Sequence, residues 1–231
     1  MDQEVKTEQK EQVPVKLAVD YKMIGLLGKK VGMSSFLSQA DSRIIPVTLV
    51  ETGPCVILEV KDYTNKRSIK IGFSEIKESL LKKPKSGYFK KLKITPKRFI
   101  KEVIADKDAK FDVGQELKVD IFKNGEFVDI SGLSIGKGFQ GGMKRWNWHG
   151  GPMTHGSMSH RRIGALSSGS TPGRVFKGHH LPGHMGMRNV TTKNLQVISV
   201  DLENNLLAVK GAVPGHKNSL VVVKKAKCPK K

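Results

Sequence analysis

Short runs of β-branched and other apolar residues, too short for helices, recur along most of the chain. Residues 44–50 and 55–60 are two such runs, separated by the turn-forming Thr52-Gly53-Pro54. Within 67–73, Ile69, Ile71 and Phe73 alternate with polar neighbours, the period of a half-buried strand. Residues 74–81 read as a short helix. Residues 82–98 are dense in lysine and include Tyr88 and Phe89, but Pro and Gly breaks argue against one helix there. Next, Leu117, Val119 and Ile121 alternate, Asn124-Gly125 supplies residues that accept positive φ, and 127–130 returns, which predicts a β-hairpin. Three more strands are expected at 195–200, 206–209 and 220–223, with turns at Asn204-Asn205 and Pro214-Gly215. Many short strands at close spacing favour a barrel or sandwich over a parallel sheet.

Two stretches carry no period. Residues 1–22 are polar and mixed in charge and read as a disordered leader, with order expected from Met23. Residues 131–194 are harder to place, because an unstructured loop of that size inside a compact domain normally counts against its flanking strands. Those strands are sound, so the loop is either disordered or ordered by something outside the chain. The expected organisation is a mainly β fold with an α/β insertion. A barrel-like domain would span 23–130 and 195–224, with a basic segment inserted at about 74–101. An irregular extension would occupy 131–194, and a basic tail 225–231.

Charge names the class of partner. The 231 residues hold 41 Lys+Arg against 21 Asp+Glu, a net charge of +20, and only 38% are hydrophobic. A field of that sign attracts polyanions, nucleic acid first. An anionic membrane fits less well, since no basic amphipathic segment with a Leu/Phe face and no apolar run near 18 residues occurs. Cys55 and Cys228 are the only cysteines and form no CxxC pair, so neither a zinc site nor a disulfide framework is suggested. The first residues carry acids and lack an apolar core segment, unlike a secretory or transit peptide, which makes the cytoplasm the expected compartment.

The charge is not spread evenly. No Asp or Glu occurs between Asp129 and Asp201. The same span holds Lys137, Lys144, Arg145, Arg161, Arg162, Arg174, Lys177, Arg188 and Lys193. It also holds His149, His155, His160, His179, His180 and His184, and 14 of the 24 glycines. Removing every carboxylate makes sense where a backbone runs among phosphates, which would repel it. Arg and Lys neutralise phosphates, glycine lets the chain approach an RNA backbone, and Trp146, Trp148 and the histidines offer faces and N–H donors to bases and riboses. A disordered basic linker is the plainer alternative. Phe139, Trp146, Trp148, Phe176 and several Met argue against it, since disordered tails are poor in aromatics.

Enzyme-like patterns fail on context. Residues 136–141 spell GxGxxG, but Trp-Asn-Trp follows and no acid appears until Asp201, against the Rossmann requirement. Lys137 precedes Gly138 rather than Ser or Thr, so no P-loop is present. His155 with His160, or His180 with His184, lack a carboxylate to complete a metal site, and Pro182-Gly183 breaks the second pair. Ser157 and Ser159 beside those histidines lack an orienting acid, so hydrogen bonding to ribose or phosphate suits them better than nucleophilic catalysis. No catalytic residue, metal, cofactor or small-molecule substrate is expected.

Several motifs in one order carry a resemblance. Phe122, Asp129, Gly132, Ser134, Gly136-Lys137-Gly138, Gly141 and Arg145 have the spacing of the large-subunit ribosomal protein three signature. HGSMSHRRIG at 155–164, TPGRVFKG at 171–178, PGHMG at 182–186 and the opening MIGLLGKKVGM at 23–33 are similar to the same family. The resemblance covers about 23–224 and is closer to the bacterial form, since eukaryotic members are much longer. It implies a six-stranded barrel-like domain of the translation-protein type with an inserted α/β part. It also implies an extension threaded through large-subunit rRNA toward the peptidyl transferase centre, with a role early in assembly and no catalysis by the protein. The rRNA-binding residues it points to are Lys29, Lys30, Lys137, Lys144, Arg145, Trp146, Trp148, His155, His160, Arg161, Arg162, Arg174, Lys177, His179, His180, His184 and Arg188. The loop tip nearest the catalytic RNA would lie within 166–172, at Ser167, Ser168, Gly169 and Ser170. Some bacterial members carry a methylated glutamine there; Ser170 takes its place, so that modification is expected to be absent. The leader at 1–22 is unusual for the family.

Residues 82–98 read as a second phosphate-contacting patch or as a solvated lysine-rich loop. Neighbouring ribosomal proteins are further expected partners. The rival functions are an RNA chaperone or assembly factor that leaves the mature subunit, and an RNA-modifying enzyme, against which the missing carboxylates and cofactor loop argue.

Overall fold

A computed structural model describes residues 25–38, 42–64, 67–105 and 111–228. The expected leader, the start of order at Met23 and the last three residues of the expected tail lie outside them. The chain is mainly β. Its strands are β1 (Gly25–Ser38), β2 (Arg43–Thr52), β3 (Cys55–Asp62), β4 (Arg67–Glu75), β5 (Lys97–Ala105), β6 (Glu116–Leu117), β7 (Phe127–Leu133), β8 (Gly138–Gln140), β9 (Gly183–Met185), β10 (Asn189–Asp201), β11 (Leu206–Lys210) and β12 (Leu220–Lys225). Among the described residues two α-helices accompany them, α1 (Lys83–Leu92) and α2 (Gly142–Trp146).

Six strands close a barrel in the order β1-β12-β7-β10-β11-β2, every neighbour antiparallel. Closure removes the free edges that an open sheet would leave for mispairing. A second antiparallel sheet, ordered β5-β4-β3-β6, packs on the outside of the barrel at β1. That placement explains why consecutive Leu26 and Leu27 are both fully buried: one faces the barrel interior and the other the second sheet. One core joins both parts, from Val50, Val128, Ile130, Val197, Leu207 and Val221 to Cys55, Ile57, Ile69, Ile71 and Val103.

In β4, Ile69, Ile71 and Phe73 are buried as the alternation predicts, but Ser68 and Gly72 on the opposite face are buried as well, so the strand is covered on both sides rather than half-buried. Other expectations need correction. The hairpin of 117–121 with 127–130 does not form. Glu116–Leu117 pairs with β3, and Val119–Ile121 is a 3-10 turn whose Val119 and Ile121 enter the core. β7 is paired on both edges, by β10 and β12, which leaves no place for the predicted partner. Asn124-Gly125 does turn, with Gly125 at φ +83°, but it delivers the chain from that 3-10 turn into β7. Within 82–98 a helix forms after all. Pro84 falls in its first turn, where a missing N–H is harmless, and Lys93 ends it in the left-handed region. The helix expected at 74–81 shrinks to one 3-10 turn, Glu78–Leu80, because β4 runs on to Glu75.

Cys55 sits at the seam of the two sheets, its Sγ donating to the Leu27 carbonyl at 3.4 Å. Burial pushes its pKa up to about 12. Its neutral form therefore favours folding fully below the unfolded thiol pKa of roughly 8.5, a contribution that fades as pH rises above it. Cys228 is exposed. At pH 8, one thiol is expected to react with a water-soluble disulfide reagent in the folded protein and two after denaturation. Rapid native titration of both would contradict this placement of Cys55.

Candidate nucleic-acid interface

The acid-free span leaves the barrel on two legs, the continuations of β7 and β10. Their pairing runs out to Ser131 opposite Thr191, Gly132 opposite Val190 and Leu133 opposite Asn189. These pairs carry few core side chains, so hydrogen bonding rather than apolar alternation maintains the ladder. That is why β10 starts six residues before the strand expected at 195. Beyond the barrel the legs stay joined. Ser134 N–H donates to the Arg188 carbonyl at 2.9 Å, Lys137 N–H donates to the Met185 carbonyl at 2.9 Å, and β8 pairs with β9 through Phe139 opposite His184.

α2 locks this neck. The Arg145 guanidinium and the Trp146 indole N–H both donate to the Leu181 carbonyl, at 2.6 and 2.9 Å. The Trp146 ring stacks on His180 with centroids 4.1 Å apart and planes 8° from parallel. The Arg145 cation lies 5.0 Å from the Trp146 ring centroid, within cation–π range. Trp148 folds back over Gly142, where a Cβ would overlap the indole.

Past the neck, 147–182 contain no helix or strand. Sparse bonds shape them, such as Gly151 N–H to the His160 carbonyl at 3.0 Å and a His160 Nδ1 contact to the Pro152 carbonyl at 3.0 Å. Between Leu133 and Lys193 the one buried residue is Gly142. The extension thus has no core of its own and leaves large apolar side chains in solvent, with Phe139 78% and Met158 80% exposed.

The structure gathers some predicted residues and scatters others. Lys30, Lys137, Arg145, Trp146, His184 and Arg188 line one cleft of about 500 Å³ beside the neck. Within it the Lys30 ammonium also donates to the Val213 and Gly215 carbonyls, at 2.8 and 3.0 Å, tying the 213–215 loop to the barrel. Trp148, Arg162, His179 and His180 line a second cleft of about 680 Å³ farther out. Lys144, His155, His160, Arg161, Arg174 and Lys177 stand exposed and line neither. Lys29 is apart from the extension, in a cleft with Glu51, Lys97 and Arg98. Ser167, Ser168, Gly169 and Ser170 are all exposed, and the Ser168 hydroxyl donates to the Thr171 carbonyl at 3.0 Å.

Electrostatically the extension is one-sided. Among the described residues none of its Lys or Arg side chains is ion-paired, whereas Lys61, Arg67, Lys70, Lys97 and Lys225 elsewhere each hold a carboxylate. Unpaired cations, exposed aromatics and a pre-joined neck suit an anionic, base-bearing polymer. Among the described residues no group of three or more His, Cys, Asp or Glu could hold a metal, and no helix is long and apolar enough to cross a membrane. Sequence reasoning did not place Phe139 and Met158 among the candidate contact residues; their exposure adds them as candidates, and a large apolar residue inside an acid-free, glycine-rich span was the available signal. Limited proteolysis of the free protein is expected to cut within 147–180 and to spare the neck on both legs. Cuts in β8 or β9 at the same rate would mean that the neck does not hold without a partner.

Residues 104–204 match the family model described as Ribosomal protein L3. The chain is 49% identical over 204 residues to the large ribosomal subunit protein uL3 of Carboxydothermus hydrogenoformans, covering 87% of this chain and 97% of that protein. It is 48% identical over 204 residues to the protein of the same name from Pelotomaculum thermopropionicum, with coverage of 87% and 96%. Against that of Brachyspira pilosicoli the identity is 45% over 206 residues, with coverage of 88% and 94%.

Proposed function

The chain belongs to the ribosomal protein L3 family, and from that premise we propose that it grips large-subunit rRNA by threading residues 131–194 into it. The role is structural rather than catalytic, as a component of the large ribosomal subunit. The barrel and second sheet act as the body, and the extension reaches toward the peptidyl transferase centre with Ser167–Ser170 leading. Assembly would begin with capture of rRNA early in subunit formation, in the cytoplasm, and neighbouring ribosomal proteins would complete the site.

One observation carries this reading: the extension has neither a core nor a carboxylate to satisfy its own cations. Such a segment pays for its order only when phosphates surround it. The joined neck lowers that cost by presenting Arg145, Trp146 and Arg188 on a preset frame.

The test is a sucrose-gradient separation of cell lysate followed by a high-salt wash of the large subunits. Retention at one copy per subunit is expected, because folded RNA traps a threaded segment that simple phosphate contacts would release. Loss from mature subunits, with presence only on lighter precursors, would replace this reading by that of an assembly factor. In cells whose sole copy carries Arg161→Ala with Arg162→Ala, large-subunit precursors should accumulate and growth should slow. A normal sedimentation profile and normal growth would remove those arginines from the contact set.

A further inference from the structure

We propose that the outer face of α1 is a second rRNA-binding surface, engaging the sugar-phosphate backbone; this rests on the rRNA reading above. The sequence around α1 repeats the signature of the extension on a smaller scale. No Asp or Glu occurs between Glu78 and Glu102, while Lys82, Lys83, Lys85, Lys90, Lys91, Lys93, Lys97, Arg98 and Lys101 do.

The helix is held from one side. Phe89 is buried to 2% exposure, and Tyr88 packs edge-on against it with the Lys70 ammonium 5.6 Å from its ring. Lys70 alternates with Ile69 and Ile71 along β4, so α1 covers the face of the second sheet that the shared core does not. At 100° per residue, Lys83, Gly87, Lys90 and Lys91 point away from Phe89, and all four are exposed. Lys82, Lys85 and Lys93 are exposed as well, at the helix ends and on its Phe89 side, and among the described residues none of the six lysines makes an ion pair. Lys70 and Lys97, on the strands flanking the helix, do hold acids: Glu59 at 2.5 Å and Glu75 at 3.0 Å. Carboxylates are therefore used in this part of the fold and kept off this face.

Gly87 is the independent observation. Within a helix glycine is less favourable than alanine, and an ideal Cβ at 87 would meet nothing within 4 Å. Neither a turn nor packing inside the protein requires it. A missing side chain at the centre of Lys83, Lys90 and Lys91 instead opens the helix backbone to close approach from outside, by a phosphate or ribose neutralised by those lysines. A membrane-lying helix would need a Leu, Phe or Trp face there, and this face carries only Pro84 and Gly87 between its lysines.

The experiment is a salt titration of binding between the full chain and purified large-subunit rRNA. Three variants are compared: Lys83→Gln with Lys90→Gln and Lys91→Gln; Gly87→Ala; and Arg161→Gln with Arg162→Gln. The lysine variant is expected to bind at least roughly tenfold more weakly, with a log–log salt slope shallower by about 0.7–0.9 per lost phosphate contact. Gly87→Ala should raise the thermal midpoint of the free protein yet weaken rRNA binding, a combination that a purely structural glycine would not produce. A lysine variant with unchanged affinity and slope, beside a weakened arginine variant, overturns the α1 surface and leaves the extension reading standing. Unchanged binding by both would mean that the rRNA reading itself fails. A stabilised Gly87→Ala that binds as the parent does overturns the close approach.

Discussion

Gly186→Val is expected to leave the barrel standing and to open the neck of the extension. Gly186 has φ +80°, a conformation that costs a β-branched residue about 1–2 kcal/mol. Steric overlap adds to this. A Cβ at 186 would collide with the Ile135 carbonyl oxygen and lie 2.9 Å from the Gly136 Cα. Both are backbone atoms of the opposite leg and cannot rotate aside. Relief requires the legs to part, which breaks the Lys137 to Met185 hydrogen bond and the β8–β9 pairing beyond it. None of these residues belongs to the core, so the thermal midpoint should move little. New proteolytic cuts should appear at 134–140 and 183–188, and rRNA affinity should fall at least roughly tenfold as the frame for Arg145 and Arg188 is lost. An unchanged cut pattern with unchanged affinity would show that the neck contributes nothing to presenting the extension.

Ile130→Ala is expected to give the reverse, a global loss. Ile130 is fully buried in the barrel and sits on β7 opposite Thr192 on one edge and Val223 on the other. Truncating it leaves a cavity among side chains held by strands on both sides, which should cost about 2–5 kcal/mol. For a chain of this size that lowers the thermal midpoint by roughly 10 °C. Leu133→Ala is the control: three residues further along the same strand and 39% exposed, it should cost less than about 1 kcal/mol. Similar shifts for the two variants would mean that the core does not end where the legs leave the barrel.

Both predictions turn on a boundary that the chain reveals in composition more than in period. No acid occurs between Asp129 and Asp201, and on the rRNA reading proposed above this marks the extension because phosphate proximity would penalise a carboxylate at every position, whatever the local backbone does. Arg145 and Trp146 were legible as residue types suited to RNA contact. Their shared acceptor, the Leu181 carbonyl, was not, since any backbone oxygen can accept and only the return leg brings this one near. Lys30 was legible as a cation, but its bonds to the Val213 and Gly215 carbonyls depend on a loop more than 180 residues away.

The same division runs through the fold. Strand character at β2, β3, β4 and β11 could be read directly, because β-branched runs and alternation are local properties. So could the turn at Asn124-Gly125, where positive φ selects the residue. Which strand pairs with which could not. Leu117, Val119 and Ile121 alternate like a strand, yet β7 is claimed on both edges by β10 and β12 from the far end of the chain, and the alternating segment becomes a bridge into the core. Residues 82–98 look too broken for a helix until the sheet beneath supplies a site for Phe89, whose burial outweighs the weak propensity around Gly87. Local chemistry sets what each segment can become and which partner its charge will seek; competition for hydrogen-bonding edges and for the single core settles what it becomes.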